Sequence, residues 1–179
     1  MTRAALFLAA ALLFLAGALA APGCGGEGGG YRPLQPGDPA PDYAAATLAG
    51  DSISLSDLRG RAVLLNVWAT WCPPCIEEMP ALDVLQQRFG PESLRVLAVS
   101  IDTSADRHSI AAFVDEHDLG ITILHDPGRA VERAFRTVGV PESFLIGADG
   151  RIARRWIGQF DPLATETADD VRRALASAP

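Results

Sequence analysis

The sequence Asn66-Val67-Trp68-Ala69-Thr70-Trp71-Cys72-Pro73-Pro74-Cys75 joins a mostly apolar run to a segment with helical periodicity. The apolar run, residues 62–69, predicts a strand that is buried on both faces. The following segment, residues 73–89, predicts a helix because its apolar residues recur every three or four positions. These apolar residues are Ile76, Met79, Leu82, Leu85 and Phe89. A Cys-x-x-Cys motif is therefore expected where a buried strand meets a helix.

This position predicts different chemistry for the two cysteines. Unpaired backbone N–H groups and the positive end of the helix dipole favour an anion at a helix start, so they lower the pKa of a thiol there. Cys72 is thus predicted to be an exposed nucleophile, and Cys75, about one turn later, the resolving thiol. Pro73 and Pro74 lack N–H groups, which removes two potential donors to the Cys72 thiolate. That loss favours a reducing couple over a strongly oxidising one.

Other roles for the cysteine pair are weaker hypotheses. A structural zinc site needs four ligands, and the sequence contains neither a second cysteine pair nor a His-x-x-x-His motif. A purely structural disulfide would close a very short loop, where the entropic gain is smallest. His108, His117 and His125 have no spacing typical of metal ligands, and His125 is the candidate for a copper test. We therefore predict redox chemistry with no metal and no cofactor.

The pattern of elements around this segment predicts an α/β fold. Strands are predicted at residues 53–55, 94–101, 121–124, 143–146 and 152–156, and helices at 110–117, 130–136 and 167–176. The sequence Gly147-Ala148-Asp149-Gly150 predicts the turn of a β-hairpin. Strands and helices alternate and are followed by a hairpin and a last helix, so we expect a mixed sheet flanked by helices.

The N-terminus has the pattern of a targeting segment. Arg3 is followed by residues 4–21 without a charge, which predicts a signal peptide at residues 1–23. The alternative is an uncleaved membrane anchor, because the apolar run is close to the shortest transmembrane helices, about 17 to 25 residues. Ala18-Leu19-Ala20 is a site for an ordinary signal peptidase, whereas residues 19–24 resemble a bacterial lipobox that would lipidate Cys24. Both cleavage hypotheses remain open.

Glycine and proline dominate the sequence after Cys24. Residues 25–30 are almost all glycine, and prolines recur from Pro33 to Pro41. We predict a flexible tether at residues 24–37 and one folded domain at 38–177. Export would place the thiols in an oxidising compartment, where disulfides persist.

The composition excludes several function classes. All 15 basic residues are arginine, against 22 acidic residues, which gives a net charge of -7. Without lysine there is no Schiff-base chemistry and no phosphate-binding P-loop lysine. An acidic chain is a poor electrostatic match for nucleic acid, so no nucleic-acid partner is expected. The 49% hydrophobic and 21% charged residues are typical of a globular domain.

Two distant motifs together resemble one protein family. Residues 66–75 resemble the active-site segment of the TlpA-like group of thioredoxin-fold proteins, which includes ResA-type and CcmG-type thiol-disulfide oxidoreductases. Residues 139–146 (GVPESFLI) resemble the cis-proline loop and following strand of that group. With residues 36–42 and 150–152, the resemblance covers about residues 36–160. It implies a thioredoxin-like fold, with a mixed sheet flanked by helices and an N-terminal hairpin extension.

The resemblance also implies roles for individual residues. Pro141 would be cis and face a redox-active Cys72–Cys75 disulfide, and the backbone of Val140 would pair with an extended substrate. Trp71 would cover the substrate-binding surface. Glu78, three residues after Cys75, would tune the thiols.

By the same resemblance, the expected function is an exported, membrane-tethered oxidoreductase on the extracytoplasmic or periplasmic face of a bacterial membrane. It would reduce disulfides of client proteins, above all the Cys-x-x-Cys-His motif of an apocytochrome c during cytochrome c maturation. A membrane thiol reductase would supply the electrons.

Two alternatives remain at this stage. A copper-binding metallochaperone of thioredoxin fold would use the dithiol as ligands. A peroxiredoxin-like peroxidase would need a P-x-x-x-T/S-x-x-C arrangement, but Thr70 is two residues before Cys72 and no proline occupies the upstream place.

Overall fold

The computed structural model describes residues 32–177. The predicted signal peptide at residues 1–23, the lipidation site Cys24 and residues 24–31 of the predicted tether lie outside the described residues.

One mixed sheet forms the centre of the domain. Its seven strands are β1 Ala44–Thr47, β2 Ser52–Ser54, β3 Ala62–Trp68, β4 Leu94–Ser100, β5 Thr122–His125, β6 Glu142–Ile146 and β7 Ile152–Ile157. Four α-helices occur within residues 32–177: α1 Pro73–Phe89, α2 Arg107–Glu116, α3 Ala130–Phe135 and α4 Thr165–Ala176.

The strand order places β3 inside the sheet. The order is β2-β1-β5-β4-β3-β6-β7. β3 and β4 are parallel, as are β4 and β5, whereas β6 is antiparallel to both β3 and β7. β1 pairs antiparallel with β2 and β5. The predicted mixed sheet and the N-terminal hairpin, formed by β1 and β2, are both confirmed.

The interior position of β3 explains its apolar sequence. All seven of its residues are buried, including Trp68, which contacts Phe113 of α2. α1 begins directly after Cys72 and has prolines in its first turn, where a missing N–H costs nothing. It ends at Gly90, which has a φ of 80°. The predicted helix 73–89 is confirmed.

Two differences from the sequence prediction concern the N-terminal hairpin. The strand expected at residues 53–55 is Ser52–Ser54, and Leu55 instead begins a 3-10 helix. The side chains of Ser54 and Asp57 form a capping box that starts this helix. β1 was not predicted because its sequence, AAAT, contains mostly alanine, which is depleted in strands.

Residues 32–37 lie against the folded domain. Leu34 is buried in the hydrophobic core. Arg136, Arg155 and Arg151 donate hydrogen bonds to the carbonyl oxygens of residues 32, 34 and 37, at 2.7, 3.1 and 2.8 Å. These residues therefore belong to the folded domain, whereas the sequence placed them in the tether. The proline content predicted extended backbone but carried no information about the arginines that bind it.

Candidate active site

Cys72 and Cys75 form a disulfide at the start of α1. Their Cα atoms are 5.3 Å apart. Cys72 is the residue that caps α1, and its carbonyl oxygen accepts hydrogen bonds from the backbone N–H groups of Cys75 and Ile76 at 3.0 and 3.1 Å. Cys75 is fully buried, and Cys72 is 5% exposed. Cys72 is thus the more accessible cysteine, but it is less exposed than predicted because its sulfur is bonded to Cys75 and its side chain joins the core cluster.

The tryptophans around the motif differ in exposure. Trp71, next to Cys72, is 60% exposed and presents a large apolar surface beside the disulfide. Trp68 is fully buried in the core. Trp156 stacks on Phe160, with ring centroids 4.4 Å apart, and is half-buried.

The loop that leads into Cys72 is fixed by Asp102, a residue that no sequence motif indicated. Asp102 is almost fully buried. Its carboxylate accepts hydrogen bonds from the Thr70 backbone N–H at 3.0 Å, the Thr70 hydroxyl at 2.8 Å and the Ser100 hydroxyl at 2.7 Å. Because β3 and β4 are parallel, both carboxyl ends lie at the same sheet edge. The signal in the sequence that could have indicated Asp102 is its place as a polar residue directly after the apolar run 94–101.

The Val140–Pro141 peptide bond is cis, as the resemblance implies. Glu142, the next residue, pairs with Val67 in the antiparallel register of β6 and β3. Pro141 therefore comes at the end of β3 that leads to Cys72. Its carbonyl oxygen accepts a hydrogen bond from Gly158 at 2.9 Å. Pro141 itself is buried and Val140 is half-buried.

Glu78 is a buried carboxylate in α1. It is 2% exposed. Asn66 Nδ2 donates to its Oε1 at 2.7 Å, and the Phe160 backbone N–H lies 3.4 Å from its Oε2. Burial raises the pKa of Glu78 to about 7, although the hydrogen bonds from Asn66 and Phe160 act in the opposite direction. The neighbouring Glu77 is exposed.

A groove opens beside Glu78, between α1 and the segment after β7. Its volume is about 470 Å³. It is lined by Glu77, Glu78, Ala81, Gln159, Phe160, Asp161 and Pro162. The groove is therefore acidic and has an aromatic wall.

A buried ion pair follows the cis-proline bond. Arg155 Nη2 lies 2.6 Å from Glu142 Oε1, and Arg155 Nε donates to the same oxygen at 2.7 Å. The other oxygen of Glu142 accepts a hydrogen bond from the Val138 backbone N–H at 2.8 Å. The sequence did not identify this pair, because nothing local links residues 13 positions apart on two strands.

The described part of the chain contains neither a candidate metal site nor a candidate membrane-spanning helix. His125 is buried, with Nε2 3.1 Å from the carbonyl oxygen of Asp102. In residues 32–177, no group of three or more histidine, cysteine, aspartate or glutamate side chains could hold a metal ion. Over the same range, none of the helices has the length and apolar composition needed to cross a membrane.

A mixed sheet with a Cys-x-x-Cys disulfide at a helix start and a cis-proline at the adjacent sheet edge defines a thioredoxin-fold thiol-disulfide oxidoreductase. The sequence matches the AhpC/TSA family over residues 36–155. The chain belongs to this family and is of the ResA/CcmG type.

Individual relatives agree with this assignment. The thioredoxin-like protein YneN of Bacillus subtilis strain 168 is 38% identical over 127 residues, which is 70% of this chain and 73% of the relative. The thiol-disulfide oxidoreductase ResA of Bacillus thuringiensis strain Al Hakam is 33% identical over 156 residues, which is 86% of this chain and 88% of the relative. A crystal structure described as the thiol:disulfide interchange protein DsbE of Chlorobium tepidum is similar with a TM-score of 0.72 and 29% identity. It covers 79% of this chain and 99% of that chain.

Proposed function

We propose that this thiol-disulfide oxidoreductase is exported and reduces disulfides of client proteins through Cys72 and Cys75. The observation that supports the roles of the two residues is the position of the pair. Cys72 caps α1 and is the more exposed cysteine, while Cys75 lies in the first turn and is fully buried. An accessible first thiol and a protected second thiol suit attack followed by resolution.

The proposed reaction moves two electrons from the dithiol to the client. The Cys72 thiolate attacks one sulfur of the client disulfide, and the other client sulfur leaves as a thiolate that takes up a proton. Cys75 then loses its proton and attacks the Cys72 sulfur of the mixed disulfide. The second client thiol leaves, and the Cys72–Cys75 disulfide remains for reduction by a membrane thiol reductase.

Glu78 is proposed to exchange a proton with the Cys75 thiol. It lies three residues later in α1, and residues at this spacing are neighbours on a helix surface. Its pKa of about 7 suits a group that exchanges protons near neutral pH. The chain has no lysine that could share this role.

The proposed client binds beside the cis-proline. The backbone of Val140 would pair with an extended client segment, Pro141 would keep that segment next to the disulfide, and the exposed Trp71 would cover it. By resemblance to the family, we propose the oxidised Cys-x-x-Cys-His motif of an apocytochrome c as the client. We also propose that Cys24 carries a lipid that holds the domain at the extracytoplasmic face of the membrane.

Trapping of the mixed disulfide tests the residue roles. Cys75→Ser, incubated with an oxidised Cys-x-x-Cys-His peptide, should accumulate a covalent adduct at Cys72 because the resolving thiol is gone. Cys72→Ser is the matched control and should give no adduct. Equal adduct formation by both variants, detected by mass spectrometry, would contradict the assignment of nucleophile and resolving thiol.

Two further assays separate the proposal from the alternatives. The reduced protein is incubated with hydrogen peroxide and, separately, titrated with Cu(I). Peptide reduction without peroxide turnover and without tight copper binding supports the oxidoreductase. Tight copper binding with no peptide reduction would instead favour a metallochaperone.

A further inference from the structure

Asn66 lies at the centre of β3 and has an incomplete set of hydrogen bonds. Its Nδ2 donates to Glu78 Oε1 at 2.7 Å and to Ser143 Oγ at 2.9 Å. Its Oδ1 is buried and has no hydrogen-bond partner among residues 32–177. Asn66 is fully buried, so its side-chain oxygen has no contact with bulk water. A buried orphan acceptor in an otherwise satisfied network needs a physical reason.

The ionised state of Glu78 supplies that reason. A carboxylate only accepts hydrogen bonds, so it requires the donor end of the Asn66 amide. The opposite amide orientation would place Oδ1 against a carboxylate oxygen, where two acceptors repel. Asn66 therefore satisfies Glu78 and leaves its own oxygen unpaired.

A protonated Glu78 no longer requires the donor end of the Asn66 amide, because the neutral acid can accept through one oxygen and donate through the other. Asn66, bonded to Glu78 Oε1 at 2.7 Å, carries both a donor and an acceptor on its side chain. Rotation of the amide by half a turn would exchange Nδ2 and Oδ1 without moving other heavy atoms. Oδ1 would then accept from the acid, and the Ser143 hydroxyl, which can donate or accept, would donate to the same oxygen.

We propose that Asn66 is a positioning residue that serves both protonation states of Glu78 by rotation of its side-chain amide. The inference rests on the proposed proton-handling role of Glu78, which it deepens. Only one proton is gained or lost at Glu78, and no covalent bond other than its O–H changes.

The rotation connects Glu78 to the strand that follows the cis-proline. Ser143 is the second residue of β6 and lies two residues after Pro141. Its hydroxyl accepts from Asn66 when Glu78 is ionised and donates to Asn66 when Glu78 is protonated. The proton on Glu78 thus sets the direction of a hydrogen bond beside the proposed client site. An apolar residue in place of Asn66 would remove the hydrogen bonds that connect Glu78 to Ser143.

No charged partner competes with Asn66 for Glu78 among the described residues. From α1 itself, the nearby titratable groups are Glu77 and the Cys72–Cys75 pair, which does not titrate as a disulfide. From the segment after β7, Asp161 lines the same groove. From β6, Glu142 is already paired with Arg155.

Nuclear magnetic resonance of the oxidised full-length protein tests the rotation. The pH titration of the Glu78 carboxyl carbon, assigned with Glu78→Gln, is compared with that of the Asn66 side-chain N–H signals. We expect both to change with the same midpoint. Asn66 amide signals that stay constant while Glu78 titrates would overturn the proposal. Because this comparison uses the wild-type chain, it does not depend on the folding of a variant at Asn66.

Substitutions at the two partners give a second test. Asn66→Leu removes a hydrogen bond that is stronger to the carboxylate than to the neutral acid, so it should raise the Glu78 midpoint by about one pH unit, a tenfold change in proton affinity. Ser143→Ala is the matched control, because it removes the far partner and keeps the Asn66–Glu78 bond. An unchanged midpoint in Asn66→Leu would overturn the proposal. These titrations involve no turnover, so they are independent of the trapping experiment on Cys75→Ser.

Discussion

Arg155 and Glu142 form a buried ion pair that begins one residue after the Val140–Pro141 bond. Their side chains are 6% and 0% exposed. Arg155 also donates to the carbonyl oxygen of Leu34 at 3.1 Å, and its guanidinium lies 5.5 Å from the ring centre of Phe144. The pair therefore ties three distant segments together: the N-terminal lead-in, the cis-proline loop and β7.

Breaking this pair on one side should strongly destabilise the fold. Glu142→Gln or Arg155→Met leaves one buried charge without its partner, and the expected loss in the free energy of unfolding is about 3–5 kcal/mol. Urea denaturation monitored by tryptophan fluorescence measures it. The double variant removes both charges, so it should be more stable than either single variant. Single variants within about 1 kcal/mol of wild type, the range of an exposed pair, would contradict this account.

Asp102 should control the order of the loop that carries Cys72. Asp102→Asn replaces one acceptor oxygen with a donor that faces the donors of Thr70, and we expect a loss of about 1.5–3 kcal/mol in the free energy of unfolding. In the reduced protein, the rate of Cys72 alkylation should change as well. Asp118→Asn is the control, because Asp118 is exposed and loses the same charge. Equal effects of the two variants on the free energy of unfolding and on Cys72 alkylation would argue against a specific role of Asp102 in ordering the loop.

Glu78 should make the stability of the fold depend on pH. Its pKa is about 7 in the folded protein against an ordinary 4.5, so the folded state holds a proton that the unfolded state has lost between these values. The contribution is fully present below about pH 4.5 and is lost as the pH rises through about 7. The largest loss is about 3 kcal/mol at 1.36 kcal/mol per pH unit.

Glu78→Gln should remove this dependence. The variant's stability relative to wild type should rise between pH 4.5 and about 7 and then level off. Glu77→Gln, at the exposed neighbouring position, provides the comparison for a surface charge. A difference between Glu78→Gln and wild type that stays constant from acid to alkaline pH would refute the raised pKa.

Trp71 should matter for protein clients more than for small disulfides. Trp71→Ala removes the large exposed apolar surface beside Cys72. We expect kcat/KM for an oxidised Cys-x-x-Cys-His peptide to fall about tenfold, because tryptophan is enriched among the few contact residues that dominate binding energy. The rate with a small aromatic disulfide should change little. An equal decrease for both substrates would mean that Trp71 acts on the thiols and not on client binding.

The elements that the sequence predicted well are those with a strong local pattern. The apolar run 62–69 and the periodic segment 73–89 became β3 and α1 with almost the same bounds, because burial and helix caps are encoded by neighbouring residues. The turn at Gly147–Gly150 followed from its glycines. β1 was missed because its alanines carry no strand pattern, and its place in the sheet depends on pairing with β5, about 80 positions away.

The site was predictable where chemistry is local and unpredictable where it depends on register. Cys72 and Cys75 lie within one motif, and the cis bond at Pro141 followed from the resemblance. Asn66 stands inside the quoted motif, but its role depends on Ser143 being opposite it in β6. Asp102 depends in the same way on β4 lying parallel to β3.

The reduction potential of the Cys72–Cys75 pair tests the proposed reductase most directly. Pro73 and Pro74, the first two residues of α1, offer no N–H donors to the Cys72 thiolate, which removes two sources of thiolate stabilisation. Equilibration with dithiol buffers, followed by mass spectrometry, should give a value below about -200 mV, nearer to thioredoxin than to strong oxidants. A value near about -120 mV would contradict a reductase and indicate a protein that oxidises its clients.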